Sequence, residues 1–253
     1  MNERWSLAGR LAVVAGAGRG LGRGCALALA EAGASVMLVA RSAGQLEEVA
    51  AEIADAGGTA HSRAFDVTDA ERVADLFAEC ERMGGAAVLV NSAGTNRPGP
   101  AADYAAEDWD ALFDVNVRAT FLACRAFGAA ALRARRGGSI VNLSSQMGTV
   151  GYPGRSAYCA TKHAVEGYTK ALAVEWAPHG IRVNAVAPTF VLTSFTEHML
   201  ADPVFSAEVR RRLPTGELAT VEQVADAVRY LACDAAGSVT GAILRVDGGW
   251  TAW

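Results

Sequence analysis

Short apolar runs alternate with longer Ala-, Leu- and Glu-rich stretches along this chain of 253 residues. The apolar runs predict strands at 11–15, 35–40, 60–66, 86–91, 138–144, 181–187 and 242–246. The stretches between them predict helices, most clearly at 20–32, 43–56, 69–83, 156–178 and 220–233. Continuous apolar strands bracketed by helices are typical of a parallel sheet covered on both faces. We therefore expect an α/β fold, a doubly wound Rossmann-type three-layer sandwich.

No linker, internal repeat or low-complexity tract divides the chain, so we expect a single domain over residues 1–253. The least regular region is 188–215, which contains three prolines. We interpret it as a functional loop, a lid over the substrate, placed before the last strand.

Two helical stretches, 117–132 and 157–176, carry apolar or small residues around much of their circumference. A second buried face on each helix predicts a partner subunit.

Composition and charge exclude several classes of function. Apolar residues make up 51% of the chain, charged residues 20%, and the net charge is −4, which favours a folded core and argues against nucleic-acid binding. No apolar run is long enough to span a bilayer, and the first ten residues lack the apolar segment of a secretion signal. A cytoplasmic protein without a membrane partner is the expectation. The five cysteines form no C-x-x-C pair and the four histidines lack ligand spacing, so we expect no metal.

A glycine-rich turn, GAGRGLG at 16–22, follows the first predicted strand and opens a helix. Glycines let backbone amides approach a pyrophosphate at a helix N-terminus. The spacing is G-x-x-x-G-x-G, through Gly16, Gly20 and Gly22, and not G-x-G-x-x-G. A plain strand-to-helix corner would also use glycines. The position of this turn between strand and helix favours a dinucleotide site.

The end of the second predicted strand bears on the choice of cofactor. An acidic residue there would favour NAD by binding the ribose 2′-hydroxyl. Here Ala40 occupies that position, Arg41 follows it, and Arg19 of the glycine turn is expected to face the same end. Guanidinium groups suit a phosphate by charge and geometry. The pattern predicts NADP(H), unless both arginines are ordinary surface residues.

Tyr158 and Lys162 are four residues apart and would share one face of a helix. A phenol titrates near pH ~10, and an adjacent ammonium is expected to lower that pKa toward the useful range. A serine just past the fifth strand, Ser144 or Ser145, could donate a hydrogen bond to a substrate oxygen. Each element is common alone. Their order, after a nucleotide-binding half, indicates an acid–base site.

Several motifs together carry a resemblance over essentially the whole chain: AGAGRGLG at 15–22, Asp66-Val67, NSAG at 91–94, Asn116, Ser145, Y-C-A-T-K at 158–162, Pro188 and VDGG at 246–249. The chain resembles the shorter, single-domain branch of the short-chain dehydrogenase/reductase family. The resemblance implies an enzyme that moves a hydride between NADP(H) and a ketone or secondary alcohol, acting as a carbonyl reductase. It also implies a homotetramer, whose interface is formed by the two helices at 117–132 and 157–176 that are apolar on most sides.

Catalytic roles follow from the resemblance. Tyr158 would be the general acid in reduction and the general base in oxidation. Lys162 would lower its pKa and hold the nicotinamide ribose. The family's serine-to-tyrosine spacing selects Ser145 to polarise the carbonyl, and Asn116 resembles the residue that anchors a water in a proton relay.

Cofactor contacts are implied in the same way. Asp66 would contact adenine, Asn91 and Gly94 would support the cofactor and the sheet, and Val191 and Thr193 would meet the carboxamide and phosphates. The full expected set is Gly16, Gly18, Arg19, Gly20, Leu21, Gly22, Arg41, Ser42, Asp66, Val67, Asn91, Ala93, Gly94, Tyr158, Lys162, Pro188, Val191 and Thr193. Three positions depart from the family pattern, Ala15, Ser92 and Thr189, where Thr, Asn and Gly are usual. They affect local cofactor geometry and leave the reaction class unchanged.

The substrate is a small carbonyl or alcohol whose identity the sequence leaves open. The expected pocket residues are Gln146, Met147, Tyr152, Phe190, Phe195 and Met199. Most are apolar or aromatic, which suggests a ketone or secondary alcohol with some hydrophobic bulk, and Gln146 could orient a polar substituent. The alternative for each is an ordinary core position.

Two other functions stay open. A 3-oxoacyl-(acyl carrier protein) reductase would share fold and cofactor and need a basic patch, for which Arg133, Arg135 and Arg136 are candidates; they also suit a helix C-terminus. A non-catalytic nucleotide sensor would predict loss of the catalytic residues, and all are present. An enoyl reductase of this fold would need a wider Tyr–Lys spacing.

Overall fold

Over residues 3–252, which the computed structural model describes, seven parallel strands form one sheet. The strands are β1 (Leu11–Ala15), β2 (Ser35–Ala40), β3 (Thr59–Ala64), β4 (Ala86–Asn91), β5 (Gly138–Leu143), β6 (Ile181–Pro188) and β7 (Ile243–Val246). Their order across the sheet is β3-β2-β1-β4-β5-β6-β7. Because β1 lies between β2 and β4, the order reverses there, and the carboxyl ends of these strands leave the crevice in which such sheets bind ligands.

The helices connect the strands and cover both faces of the sheet. They are α1 (Gly20–Glu31), α2 (Ala43–Asp55), α3 (Ala70–Arg82), α4 (Ala106–Phe113), α5 (Ala119–Arg133), α6 (Ser156–Trp176), α7 (Glu197–Leu200), α8 (Pro203–Arg211) and α9 (Val221–Ala232). Side-chain caps fix several starts: Asp69 accepts from the amides of Glu71 and Arg72 at 3.0 and 3.1 Å. Thr220 and Gln223 form a capping box on α9.

Alternate residues of each strand enter different cores, which explains the continuous apolar runs of the sequence. One core packs against α1, α2 and α9 and takes from the sheet Val14, Leu38, Val90, Val141 and Val186. The other packs against α3, α5 and α6 and takes Val13, Met37, Leu89, Ile140 and Val183. The predicted doubly wound sandwich is confirmed.

Two predicted regions differ from the structure. β3 ends at Ala64 and not at 66, because Asp66 already forms a turn with Thr68. The region 188–215, expected to be irregular, contains α7 and α8. Asp202 caps α8 by accepting from the Val204 amide at 2.9 Å, and Pro203 fits the first helical position, where no amide donor is needed.

Within residues 3–252 no helix combines the length and apolar character needed to cross a membrane. The same residues contain no group of three or more His, Cys, Asp or Glu side chains that could hold a metal ion.

Candidate active site

The glycine turn between β1 and α1 is shaped by close backbone contacts. The amides of Gly16 and Ala17 both donate to the Val39 carbonyl, at 2.7 and 3.0 Å. Gly16 has φ +85°, and a Cβ there would lie 2.6 Å from the Ala93 nitrogen. A Cβ at Gly22 would lie 2.0 Å from the Gly16 carbonyl oxygen. Only glycine fits at these two positions, and the turn is thereby pressed against the end of β4.

The first turn of α1 leaves its amides available to a ligand. Arg19 precedes the helix, and its side chain makes no capping hydrogen bond. Gly18 is buried beside Gln45, whose Oε1 would lie 2.9 Å from a Cβ at Gly18. Across the crevice, Thr193 lies 3.6 Å from the Cβ position of Gly20. An uncapped helix N-terminus favours an anion in this place.

Two arginines flank the glycine turn and the end of β2 without forming an ion pair. Arg19 and Arg41 are exposed, and within the described part of the chain neither forms an ion pair. Ser42, next to Arg41, instead caps α2 by accepting from the Gln45 amide. Ala40 supplies no acid at the end of β2.

Asp66 lies at the same end of the crevice in a fixed orientation. Its Oδ1 accepts from the Thr68 amide at 2.9 Å and from the Thr68 hydroxyl at 2.8 Å. These hydrogen bonds hold the pKa of the Asp66 carboxyl below its ordinary value, and the charge of Arg41 acts in the same direction. Val67 turns away and packs on the core beneath the sheet.

Asn91, at the end of β4, supports the sheet from within. Its Nδ2 donates to Asn142 Oδ1 at 2.8 Å and contacts the Cys124 sulfur at 3.3 Å. Asn142 in turn donates to the Thr169 hydroxyl of α6 at 2.9 Å. This buried network ties β4, β5, α5 and α6 together beneath the crevice.

Asn116 lies in a π-helical turn, Asp114–Arg118, between α4 and α5, and only 1% of it is exposed. Its amide clamps the loop after β4, with Oδ1 accepting from the Thr95 amide at 2.8 Å and Nδ2 donating to the Thr95 carbonyl at 2.9 Å. Nδ2 also lies 3.1 Å from the Thr161 hydroxyl on α6. A Cβ at Gly94 would lie 3.5 Å from Asn116 Oδ1 and 3.9 Å from Lys162 Nζ, so this loop passes directly over the lysine.

The structure distinguishes the two serines that follow β5. Ser144 donates to the buried Glu166 carboxylate at 2.8 Å. Ser145 lines the same cavity as Tyr158 and acts to lower the pKa of its phenol, and the Ser145 Oγ accepts from the Met147 amide at 3.2 Å. Ser145 is therefore the serine on the side of the tyrosine, and its role in polarising a carbonyl stays a prediction.

Lys162 and Tyr158 share the inner face of α6, but the lysine binds elsewhere in the unliganded protein. Its Nζ donates to the Leu143 carbonyl at 2.8 Å and lies 5.6 Å from the Tyr158 ring centroid. Burial lowers the pKa of Lys162 to about 8, opposed by the charge of Glu166. Burial raises the pKa of Tyr158 to about 12, opposed by Ser145 and by the charge of Arg155. The expected lowering of the phenol pKa is therefore not found, because burial outweighs both of these opposing effects.

A cavity opens beside these groups, with the 188–199 segment as its far wall. Ser145 and Tyr158 line it, as do five of the expected pocket residues, Gln146, Met147, Phe190, Phe195 and Met199. Leu21, Pro188, Val191 and Thr193 of the expected cofactor set also line it. Tyr152 was predicted in this wall and lies behind it, because its ring packs on Phe190 and Trp250 at centroid distances of 6.0 and 6.1 Å.

Four further polar residues line the cavity that sequence reasoning did not place there: Asn96, Arg155, Thr189 and Thr196. Arg155, three residues before Tyr158, looks like a surface charge in the sequence, and its burial emerges only from tertiary packing, where Met199 contacts its guanidinium. Thr189 stood out solely as a departure from a motif.

Comparison with known proteins places the whole chain among dehydrogenases. A family model described as enoyl-(acyl carrier protein) reductase matches residues 16–251. The chain is 40% identical over 246 residues to D-threitol dehydrogenase of Mycolicibacterium smegmatis, covering 97% of this chain and 94% of that protein. It is 42% identical over 260 residues to galactitol 2-dehydrogenase of Rhizobium johnstonii, covering 99% and 98%.

A solved structure is similarly close. The gluconate 5-dehydrogenase of Burkholderia cenocepacia, in complex with NADP and tartrate, superposes with a TM-score of 0.94 at 33% identity, covering 99% of this chain and 98% of that one.

Proposed function

This chain belongs to the short-chain dehydrogenase/reductase family, and we propose that its cavity converts a secondary alcohol of a polyhydroxylated substrate into the ketone, or the reverse. It is an NADP(H)-dependent oxidoreductase of alcohols and ketones. The observation that carries the proposal is the placement of Ser145 and Tyr158 in one cavity wall, with Lys162 Nζ 5.6 Å from the Tyr158 ring. The substrate class is supported by the two polyol dehydrogenases, each at least 40% identical.

The crevice fits NADP(H) by its own features. The glycine turn leaves no side chain between the backbone and a pyrophosphate, and the first amides of α1 are uncapped. Arg19 and Arg41 would hold a 2′-phosphate, and Asp66 would contact the adenine. When bound, the cofactor takes or supplies the hydride. Thr193 and Val191, in the lid, would close over it.

In the direction of reduction, Tyr158 donates its proton to the substrate oxygen. A phenol pKa of about 12 keeps that proton in place at neutral pH. Ser145 donates a hydrogen bond to the same oxygen, where negative charge develops. In oxidation Tyr158 must first be deprotonated, and the Lys162 ammonium is the charge that can stabilise its phenolate.

Asn116 is assigned a positioning role. Its amide fixes Thr95 and approaches Thr161, on either side of the lysine. The water that the family resemblance assigns to it stays a prediction. The segment 188–215, with α7 and α8, is assigned as the lid, because its residues 189–199 form the wall opposite Ser145.

We also propose assembly into a homotetramer through α5 and α6. Phe121 of α5 is 40% exposed and Val174 of α6 is 80% exposed. The Phe121 ring lies 6.2 Å from the Tyr168 ring of α6, so the two helices share one apolar outer surface. Water-exposed aromatic and aliphatic groups on neighbouring helices favour burial by another copy.

The alternatives have less support. Of the basic candidates for an acyl-carrier site, Arg136 is already paired with Glu81 at 2.6 Å, and Arg135 lies in the turn that follows α5 with a φ of +51°. An enoyl reductase is disfavoured because Tyr158 and Lys162 are four apart. A sensor without chemistry would have no need of Ser145 and Tyr158 together in the cavity wall.

The test is an activity assay on a panel of alditols and aldonates with NADP+, repeated with Tyr158→Phe. We expect oxidation by the wild type and a loss of roughly 100- to 10,000-fold in kcat for the variant, with NADPH binding retained. Tyr230→Phe is the matched control, because Tyr230 lies on α9, packs against Trp5 and does not line the cavity. If NADPH binds but no member of the panel is oxidised, or if Tyr158→Phe is fully active, the proposal is wrong.

A further inference from the structure

The cavity wall contains buried polar atoms that have no hydrogen-bond partner. Among residues 3–252 six buried side-chain nitrogen or oxygen atoms lack one, and five of these belong to residues that line this cavity. The five are Asn96 Oδ1, Gln146 Oε1, Thr189 Oγ1, Arg155 Nε and Arg155 Nη1. Buried polar groups are nearly always paired in folded proteins. Their concentration in one wall indicates a ligand that supplies the missing partners.

Arg155 is the unusual member of this group. It directly precedes α6, one helical turn before Tyr158, and only 7% of it is exposed. Its Nη2 contacts the Met199 sulfur at 2.9 Å, a weak acceptor, while Nε and Nη1 have no acceptor. Over the described residues no carboxylate pairs with it.

A buried guanidinium without a carboxylate partner favours the binding of an anion beside it. Burying an unpaired charge is costly, and a carboxylate satisfies both the charge and the donors of arginine. Tyr152 and Tyr158, the phenols nearest in sequence, are neutral at physiological pH because burial raises the pKa of each. The protein itself supplies no counter-ion, so the counter-ion is expected to arrive with the substrate.

We propose that Arg155 binds a carboxylate of the substrate, so that the enzyme acts on a polyhydroxylated acid, an aldonate or its keto form, in preference to a neutral polyol. This inference rests on the function proposed above and narrows it. Asn96 Oδ1 and Gln146 Oε1 are acceptors that suit the hydroxyl groups of such a chain. Arg155 and Tyr158 line the same cavity and the charge of Arg155 acts on the phenol, so one small acid can reach both.

The pocket therefore differs in character from the one expected from its sequence. The apolar and aromatic residues are present, but they surround a cation and several unpaired polar atoms. An apolar ketone would leave these atoms buried and unpaired, which a polyhydroxylated acid would not.

The experiment compares acids and alcohols that share one carbon skeleton. The pairs are gluconate with glucitol, galactonate with galactitol, and threonate with threitol, each oxidised with NADP+. For the wild type we expect kcat/KM for the better acids to exceed that of their alcohols by tenfold or more. Arg155→Met should lower kcat/KM for the acids by roughly 10- to 100-fold and change the alcohols by less than about threefold. Arg155→Lys should recover part of the loss.

Arg229→Met, which removes an arginine from the outer surface of α9, is the matched control and should change neither class. If the wild type oxidises the alcohols as well as the acids, or if Arg155→Met lowers both classes equally, the carboxylate assignment is wrong while the proposed function stands. If no compound of either class is oxidised, the proposed function itself fails. Calorimetric titration of each acid onto the NADP+-loaded Arg155→Met variant separates lost binding from misfolding, because a folded variant still binds NADP+.

Discussion

A single charge at the end of β2 is expected to set the cofactor preference. Arg41→Asp would place a carboxylate where NADP(H) carries its 2′-phosphate and where NADH carries a hydroxyl. We expect the wild type to bind NADPH at least about tenfold more tightly than NADH, a difference of about 1.4 kcal/mol, and the variant to lose that preference. Fluorescence titration with both nucleotides measures it. Arg82→Asp, the same charge change on α3, is the control, and equal wild-type affinities would refute the assignment.

The buried Lys162 should make stability depend on pH in a defined window. Its pKa is lowered from 10.5 to about 8 in the folded protein, so the unfolded chain binds more protons between these values. The contribution of Lys162 to the free energy of unfolding therefore becomes more favourable as the pH rises from about 8 to about 10.5. Below pH 8 the buried ammonium lowers the free energy of unfolding by a constant amount. Glu166 on the same helix moderates the penalty, and Tyr158, with its raised pKa, stays neutral across the window.

Urea unfolding of the wild type and of Lys162→Met, at pH 7 and pH 9.5, tests this expectation. The free energy of unfolding of the variant should exceed that of the wild type by more at pH 7 than at pH 9.5. A difference that is the same at both values would show that the lysine titrates normally.

Motif residues could be predicted from the sequence because their chemistry requires fixed spacing. The glycine turn, Tyr158 and Lys162 occupy the places that the sequence indicated. Arg155 could not be found in this way, since nothing in the sequence distinguishes a buried arginine from an exposed one. The pKa of Tyr158 was also missed, because desolvation depends on tertiary packing that the sequence does not show.

At the scale of elements, the contact between α5 and α6 depends on one glycine. A Cβ at Gly128 would lie 2.5 Å from the Trp176 ring, and the ring is buried in the core shared with α3. We expect Gly128→Ala to destabilise the protein by about 1–3 kcal/mol through overpacking. The melting temperature should fall by roughly 3–10 °C.

Gly44→Ala on α2 provides the comparison, because no atom lies within 4 Å of its Cβ position. It should stabilise the helix by up to about 1 kcal/mol. Calorimetry of the unliganded proteins measures both variants, and an unchanged melting temperature for Gly128→Ala would contradict the close contact.

The elements best predicted from sequence were those with long periodic patterns. The strands and the helices α1, α2, α3, α6 and α9 fall within a few residues of their predicted bounds. The short helices α7 and α8 were missed because four to nine residues carry too little periodicity. The Asp-Pro start of α8 was the one local signal available.

At the scale of the whole molecule, the outer surface of α5 and α6 predicts the assembly state. We expect the purified protein to be a tetramer by light scattering. Phe121→Glu should shift it to smaller species, because a charge would be buried in the interface. Val204→Glu is the matched control, since Val204 is 79% exposed on α8 in the lid. A monomeric wild type would refute the assignment of this surface.

The unpaired Arg155 also makes folding and substrate recognition compete. Each buried donor without a partner costs the unliganded protein about 1–3 kcal/mol, a large share of the net stability of a typical domain. Substrate binding removes that cost, so the melting temperature of this protein is partly a property of what is dissolved with it. Selection for heat resistance alone would favour replacing Arg155. The resulting protein would have a higher melting temperature and would discriminate less between substrates.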